Sequence, residues 1–350
     1  MVEPGGILRI AAELPYIVNP PSDGRSVFVV PFFESRSKEW FFFVQRQDEA
    51  LLRIAGRDVV VGSYLSSEAL RPDEDLYLPL ENLVFQKMSF TKLARPLMGL
   101  EDVIENLASI LEFYRLVSLR SSENRIEGGQ LAEALVEYLL VTARSLYDVL
   151  QVLSREAALL IKRVDDRAKS LMHQLPDSFA DVALHGDRPR TREEIQDLYA
   201  MPAALAAFYA EHAGHVRMLR DVRGRVVHRG HHASYVIDLD EGLAVRTTEK
   251  PWSDLPIWNE DNTAKNDLGS LRALFAYICE EALDATTGLA DAYASFLLLP
   301  DPISPANRVF LRGPLNRHLL NLEQTLRSPW ERRPREGKRQ GGGRVGGKPL

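Results

Sequence analysis

Along the first 98 residues apolar positions fall in short, dense runs, and beyond Leu100 they recur every three or four residues. The runs SVFVVPFF (26–33), EWFFFVQR (39–46) and RDVVVGSY (57–64) are rich in β-branched and aromatic residues and are bounded by polar residues, Gly or Pro. Such residues fit a pleated, half-buried surface, so these segments predict strands. DLYLPLENLVF alternates only in part, and Pro79 predicts an edge strand or a break because proline cannot donate to a ladder. The aromatic cluster from Trp40 to Phe43 is expected in the core, with a partner surface as the alternative.

From Leu100 the period becomes helical: Ile104, Leu107, Leu111, Tyr114 and Val117 share a face. SSENRIEGG interrupts it. Leu135, Leu139, Thr142, Leu146 and Leu150, extended by Leu153 and Leu160, then form one stripe on a long helix of a bundle. LPDSFADVALHGDRPRT reads as loop, and TREEIQDLYAM as a short helix capped by Thr191 with Glu193 and Glu194 in its first turn. Pro202 suits the first turn of another long helix, which runs to Gly230. SYVIDLDEGLAVRT predicts a β-hairpin turning at DEG. DLGSLRALFAYICEEALDATTGLADAYASFLL predicts a last long helix, stopped by Pro300 and Pro302. The expected class is α+β: a β-rich part over 1–98, a helical domain with a hairpin insertion over 99–327, and a flexible basic tail over 328–350.

Composition narrows the functional classes. Of the 350 residues 45% are hydrophobic and 26% charged, as in ordinary globular proteins. The longest apolar runs are too short to cross a bilayer, and the start lacks a basic segment followed by a long apolar one. The single cysteine, Cys279, excludes an internal disulfide and is expected as a small buried residue. These features predict a cytoplasmic protein with no membrane partner. Net charge is −6, yet the segment from Ser328 carries seven basic residues against two acidic ones, which leaves −11 on the body. An acidic body excludes a general nucleic-acid binder, so any RNA contact must be local.

One place offers such a contact. Five of the eight histidines lie between His212 and His232, and five arginines between Arg217 and Arg229. In LRDVRGRVVHRGHH (219–232), Arg223 and His228 have four residues between them. Five positions on a regular helix turn 500°, so the two sit about 140° apart and converge only if the helix departs from regularity near its end. Arg225 and Arg220 lie nearer the face of His228. A histidine can act as general base or acid near neutral pH, and a guanidinium can hold phosphorane charge through paired donors. Such a pair suits RNA phosphodiester cleavage without a metal or other cofactor.

Arg223 to His228 is similar to the R-x4–6-H signature of the HEPN superfamily, whose members are helical bundles with the signature towards the end of one helix. The resemblance covers about residues 100–300. It implies a metal-independent endoribonuclease, of the kind found in toxin–antitoxin and phage-defence systems. It also implies a homodimer in which two Arg–His pairs face one RNA cleft, and a possible neutralising partner protein. Arg223 and His228 would be catalytic, and Arg220, Arg225 and Arg229 would hold RNA. The same spacing occurs at Arg167–His173, Arg225–His231, Arg225–His232 and Arg312–His318, but outside the end of a long bundle helix or overlapping this match. Gly224 stands where members often carry a polar residue.

Other readings stay open. The arginines can form a solvated helix face, or a non-catalytic site for RNA, a nucleotide or a protein partner. His228, His231, His232, His212 and His215 suggest a metal, but no carboxylate completes a recognised ligand set. Arg144 and Asp148 are a helix-surface ion pair at i and i+4, or support for the Arg–His site.

Overall fold

The computed structural model describes residues 8–9, 29–45, 51–56, 62–88, 90–121, 125–160, 174–229, 236–250 and 252–330. The architecture is α+β, with a β-rich N-terminal region followed by helices. Strands β1 (Leu8–Arg9), β2 (Val29–Glu34), β3 (Glu39–Gln45), β4 (Leu51–Gly56), β5 (Ser63–Ser66) and β6 (Asp75–Leu76) precede helices α1 (Pro79–Lys87), α2 (Phe90–Ser121) and α3 (Arg125–Leu160). Short α4 (Phe179–Ala183) leads into a small hairpin of β7 (Leu184–His185) and β8 (Arg188–Pro189). Then come α5 (Arg192–Tyr199), α6 (Ala203–Arg229), β9 (Ile237–Leu239), β10 (Gly242–Arg246), β11 (Thr263–Ala264) and β12 (Leu268–Ser270). Helix α7 (Leu271–Phe296), strand β13 (Arg308–Arg312) and helices α8 (Arg317–Leu320) and α9 (Leu322–Arg327) complete the described chain.

The larger sheet has the order β1-β4-β3-β2-β5-β13-β6. Strands β2 and β3 pair antiparallel, with Val30 opposite Phe43 and Phe32 opposite Phe41. These four residues bury one face of the sheet together with Leu65, Val309 and Phe85 of α1. On the other face the rings of Phe33, Trp40, Tyr64 and Phe310 succeed one another at 5.1, 5.2 and 5.7 Å, close enough for favourable edge and tilted contacts. Trp40, Phe41 and Phe43 are thus core, as their runs predict.

Several boundaries differ from the sequence-based expectation. Asp75–Leu76 forms only a two-residue strand, and Pro79 opens α1, where its missing N–H costs nothing. Helix α2 begins at Phe90 and crosses residue 98, and α3 begins at Arg125, so RIEGG is helical. Strand β4 carries no alternating pattern and was not legible; of the expected strand 57–64, residues 57–61 lie outside the described residues. β13 comes from the expected helical region but fills the gap between β5 and β6. Buried Gln86 of α1 holds the approach to β13. Its amide nitrogen donates to the carbonyls of Ser304 and Asn307 at 3.2 and 2.7 Å, and its oxygen accepts from the Ser304 N–H at 2.9 Å. Ser328 to Trp330, expected to begin the flexible tail, are anchored: Ser270 Oγ donates to the Pro329 carbonyl at 2.6 Å, and Trp330 Nε1 to the Asp261 carbonyl at 2.9 Å.

Helices α2, α3, α6 and α7 form the main bundle. Leu139, Leu146 and Leu150 of α3 are fully buried, as are Ile104 and Leu107 of α2 and Phe275, Ile278 and Cys279 of α7. The capping box expected at Thr191 is formed with Glu194. The predicted hairpin is β9–β10, and it joins β12 and β11 in a four-stranded sheet. Among the described residues no helix is long and apolar enough to cross a membrane.

Where the sheet meets the bundle, Glu81 is fully buried beside Glu101, whose carboxylate accepts from Ser63 Oγ at 2.8 Å. Burial first, and then repulsion from Glu101, push the Glu81 carboxyl well above the usual range. A carboxyl raised in the folded state favours folding at acid pH, and that contribution is lost as pH rises from about 4.3 through the raised value. Glu81→Gln is therefore expected to flatten this limb and to raise unfolding stability at pH 7 by about 1–2 kcal/mol. Denaturant titrations at pH 4 and 7 check it.

Candidate functional site

Helix α6 carries the Arg–His segment, and its path is set by both neighbours. On the α3 side Tyr209 Oη donates to Gln151 Oε1 at 2.6 Å, and Gln151 Nε2 donates to the Pro176 carbonyl at 2.6 Å. Further along, Tyr147 lies 6.1 and 5.8 Å from the rings of His212 and His215. On the α7 side Gly288 lets the helices pass: a Cβ there would lie 3.3 Å from Phe208 and 3.4 Å from His212. Val216, Leu219 and Val222 are buried, so apolar anchoring continues to one residue before Arg223.

The backbone of α6 stays helical through Arg229. The departure from regular helix expected just before Gly230 therefore does not begin ahead of His228, and the two positions remain about 140° apart around the axis. The side chains of Arg223, Arg225, His228 and Arg229, and the whole of Gly230, His231 and His232, lie outside the described residues. The chain returns at Val236, whose N–H donates to Glu133 Oε1 at 3.2 Å and whose carbonyl lies 3.6 Å from a Cβ built on Gly129. The first turns of α3 therefore flank the end of α6. Nothing among the described residues lies within 4 Å of a Cβ at Gly224.

Arg220 is already engaged. Its Nη2 donates to the Gly186 carbonyl at 2.9 Å and forms an ion pair with Asp187. Gly186 has φ +62° in the β7–β8 turn, a conformation glycine adopts without steric cost. Arg144 reaches Asp148 at 3.4 Å and donates to Ser178 Oγ at 2.9 Å. Ser178 in turn accepts from the Ala180 N–H and caps α4. With Gln151 beside Tyr209 and Tyr147 beside His212 and His215, the antiparallel register puts Arg144 level with about residue 216 of α6. Arg223 and His228 lie roughly 10 and 18 Å further along the axis. Arg144 and Asp148 therefore fix the start of α4 and stand away from the Arg–His level.

A cleft of about 340 Å³ opens between α6 and α7, lined by Glu211, His215, Arg217, Asp221, Tyr277 and Glu281 among others. Among the described residues neither ring nitrogen of buried His215 has a hydrogen-bond partner. Its Nδ1 is 3.9 Å from Glu281 Oε2, too far for a hydrogen bond. Burial drives His215 down to about 3, so it is neutral at physiological pH, and burial also lowers His212. Burial, with Asp284 and Glu280 nearby, pushes Glu281 up. Sequence spacing singled out His212 and His215, but their acidic neighbours on α7 are more than 60 positions away and gave no local signal. Among the described residues no three His, Cys, Asp or Glu side chains are placed to hold a metal ion. The carboxylates disfavour phosphate in this cleft. No protein-family model, curated protein or solved structure matches the chain.

Proposed function

We propose that this protein is a metal-independent endoribonuclease of HEPN type, acting in the cytoplasm in a toxin or defence system. His228 serves as general acid or base at the scissile phosphate and Arg223 stabilises the charge of the phosphorane, which requires the last turn of α6 to leave the regular helix when RNA binds, since the two positions otherwise stand about 140° apart. Arg225 and Arg229 hold the RNA backbone, and Arg220 joins them only on releasing Asp187. The observation that supports this reading is the mounting of the segment: α6 is anchored in the bundle at Val216, Leu219 and Val222 and carries Arg223 and His228 on its next two turns. A rigid helix fixes such groups more closely than a loop does. A second copy and a neutralising partner protein belong to the same reading. The test is incubation of purified protein with a mixed-sequence RNA in EDTA, beside Arg223→Ala. Cleavage by the wild type and its loss in the variant support the proposal; equal cleavage by both sinks it.

A non-catalytic interaction protein is the second reading, and the engagement of Arg220 by Asp187 favours it. It predicts that Arg223→Ala alters partner binding while no RNA is cut by either protein.

A further inference from the structure

The cleft between α6 and α7 holds negative charge that its own lining does not balance. Its volume of about 340 Å³ suits a small ligand. Glu211 and Asp221 of α6 and Glu281 of α7 line it, against the single cation Arg217. Burial pushes the Glu281 carboxyl up, and repulsion from Asp284, Glu280 and Glu211 adds to it. Among the described residues no arginine or lysine forms an ion pair with Glu211, Glu280, Glu281 or Asp284. Like charges gathered in this way disfavour one another's ionised form unless a cation joins them.

His215 adds a second and independent feature. It lines the same cleft, its side chain is only 4% exposed, and among the described residues neither of its ring nitrogens is hydrogen-bonded. A buried polar group without a partner costs free energy that a bound donor would recover. With the imidazole proton on Nε2, Nδ1 is an acceptor, and it faces Glu281 Oε2 across 3.9 Å. One nitrogen about 2.8 Å from both atoms would see them about 90° apart, near the angle between two N–H bonds of an ammonium. A planar guanidinium, whose parallel donors match the two oxygens of one carboxylate, does not cap such a pair. The Glu281 side chain is a third exposed, so a turn of it opens Nδ1 to the cleft. The Tyr277 ring, 5.8 Å from that of His215, and Met218, Leu255 and Pro256 supply an apolar wall for a methylene stem. Among the described residues no three His, Cys, Asp or Glu side chains converge for a metal ion, which favours an organic cation.

We propose that this cleft binds a small aliphatic amine, with its ammonium held between Glu281 and His215 and its stem lying against Met218, Leu255 and Tyr277. Glu211 and Asp221 stand on either side of His215, about 6 and 9 Å away along the axis of α6. They offer a place for a second ammonium, so a diamine fits better than a monoamine. The site stands apart from the ribonuclease reading. Arg223 is roughly 12 Å further along α6, and amine binding requires neither it nor His228.

The test is calorimetric titration of the full chain with putrescine at low ionic strength, with thermal unfolding of each variant alongside. Saturable binding with a Kd below about 1 mM is expected, together with a higher Tm at saturation. Glu281→Gln and His215→Leu should each weaken binding at least about tenfold, since each removes one of the two acceptors of the ammonium. Glu68→Gln, the same change of charge beside β5, should bind as the wild type does, and so should Arg223→Ala, which separates this site from the ribonuclease reading. Absence of binding at about 10 mM putrescine overturns the proposal, as does equal binding of the uncharged diol of the same chain length or of Mg²⁺. So does unchanged affinity in Glu281→Gln, a change at a third-exposed side chain that keeps the proposal falsifiable if His215→Leu does not fold.

Discussion

His228→Ala is expected to slow RNA cleavage by about 10²–10⁴-fold, the range for loss of a positioned general acid or base. The bundle should survive the change, because the buried anchors of α6 at Val216, Leu219 and Val222 are untouched. The pH profile separates chemistry from a structural effect. If His228 is the acid or base, the wild type should show a pH limb that His228→Ala removes. His215 is the internal control. Held down to about 3 by burial, it carries no charge to exchange at neutral pH, and His215→Gln should leave the limb in place. Arg223→Lys should fall between wild type and Arg223→Ala, since it keeps the charge and loses the planar fork. Rates from pH 5 to 9 on these variants check the set, and a limb that persists in His228→Ala would remove this residue from the mechanism.

Phe179→Ala should be the most damaging of the structural changes, at about 3–5 kcal/mol of unfolding free energy. The ring is fully buried and lies 5.1 Å from Tyr147, 5.7 Å from Phe208 and 4.7 Å from Tyr209. It joins α4 to both α3 and α6. Helix α4 has five residues, too few to persist alone, and is held by the Ser178 cap, by Arg144 and by this ring. The β7–β8 turn that binds Arg220 follows directly. The variant is therefore expected to lose stability in urea titration and to open 174–190 to proteolysis before the bundle unfolds. Phe179→Leu should cost markedly less. Equal stability of wild type and Phe179→Ala would contradict the packing described here.

Much of the helical part was legible because its signals are local. The stripe from Leu139 to Leu150 faces the core, and Thr191 with Glu194 closes a capping box through neighbouring backbone. What was not legible depends on distant partners. β13 is a strand because β5 and β6 offer it unpaired edges more than 230 positions away in sequence. Trp330 is held by the Asp261 carbonyl, which no composition of the tail announces. Arg144 and Asp148 read as an ion pair on α3, and they are one; that the arginine also holds the cap of α4 required Ser178 in space. The acidic cleft around His215 came from pairing α6 with α7.

The measurement that bears most directly on the central claim is the chemistry of the RNA ends left by the wild-type protein in EDTA. Attack by a 2′-hydroxyl with proton transfer through His228 predicts 2′,3′-cyclic phosphate and 5′-hydroxyl ends at undiminished rate. Intact RNA across several substrates, or 3′-hydroxyl ends formed only when a divalent metal is restored, would contradict it.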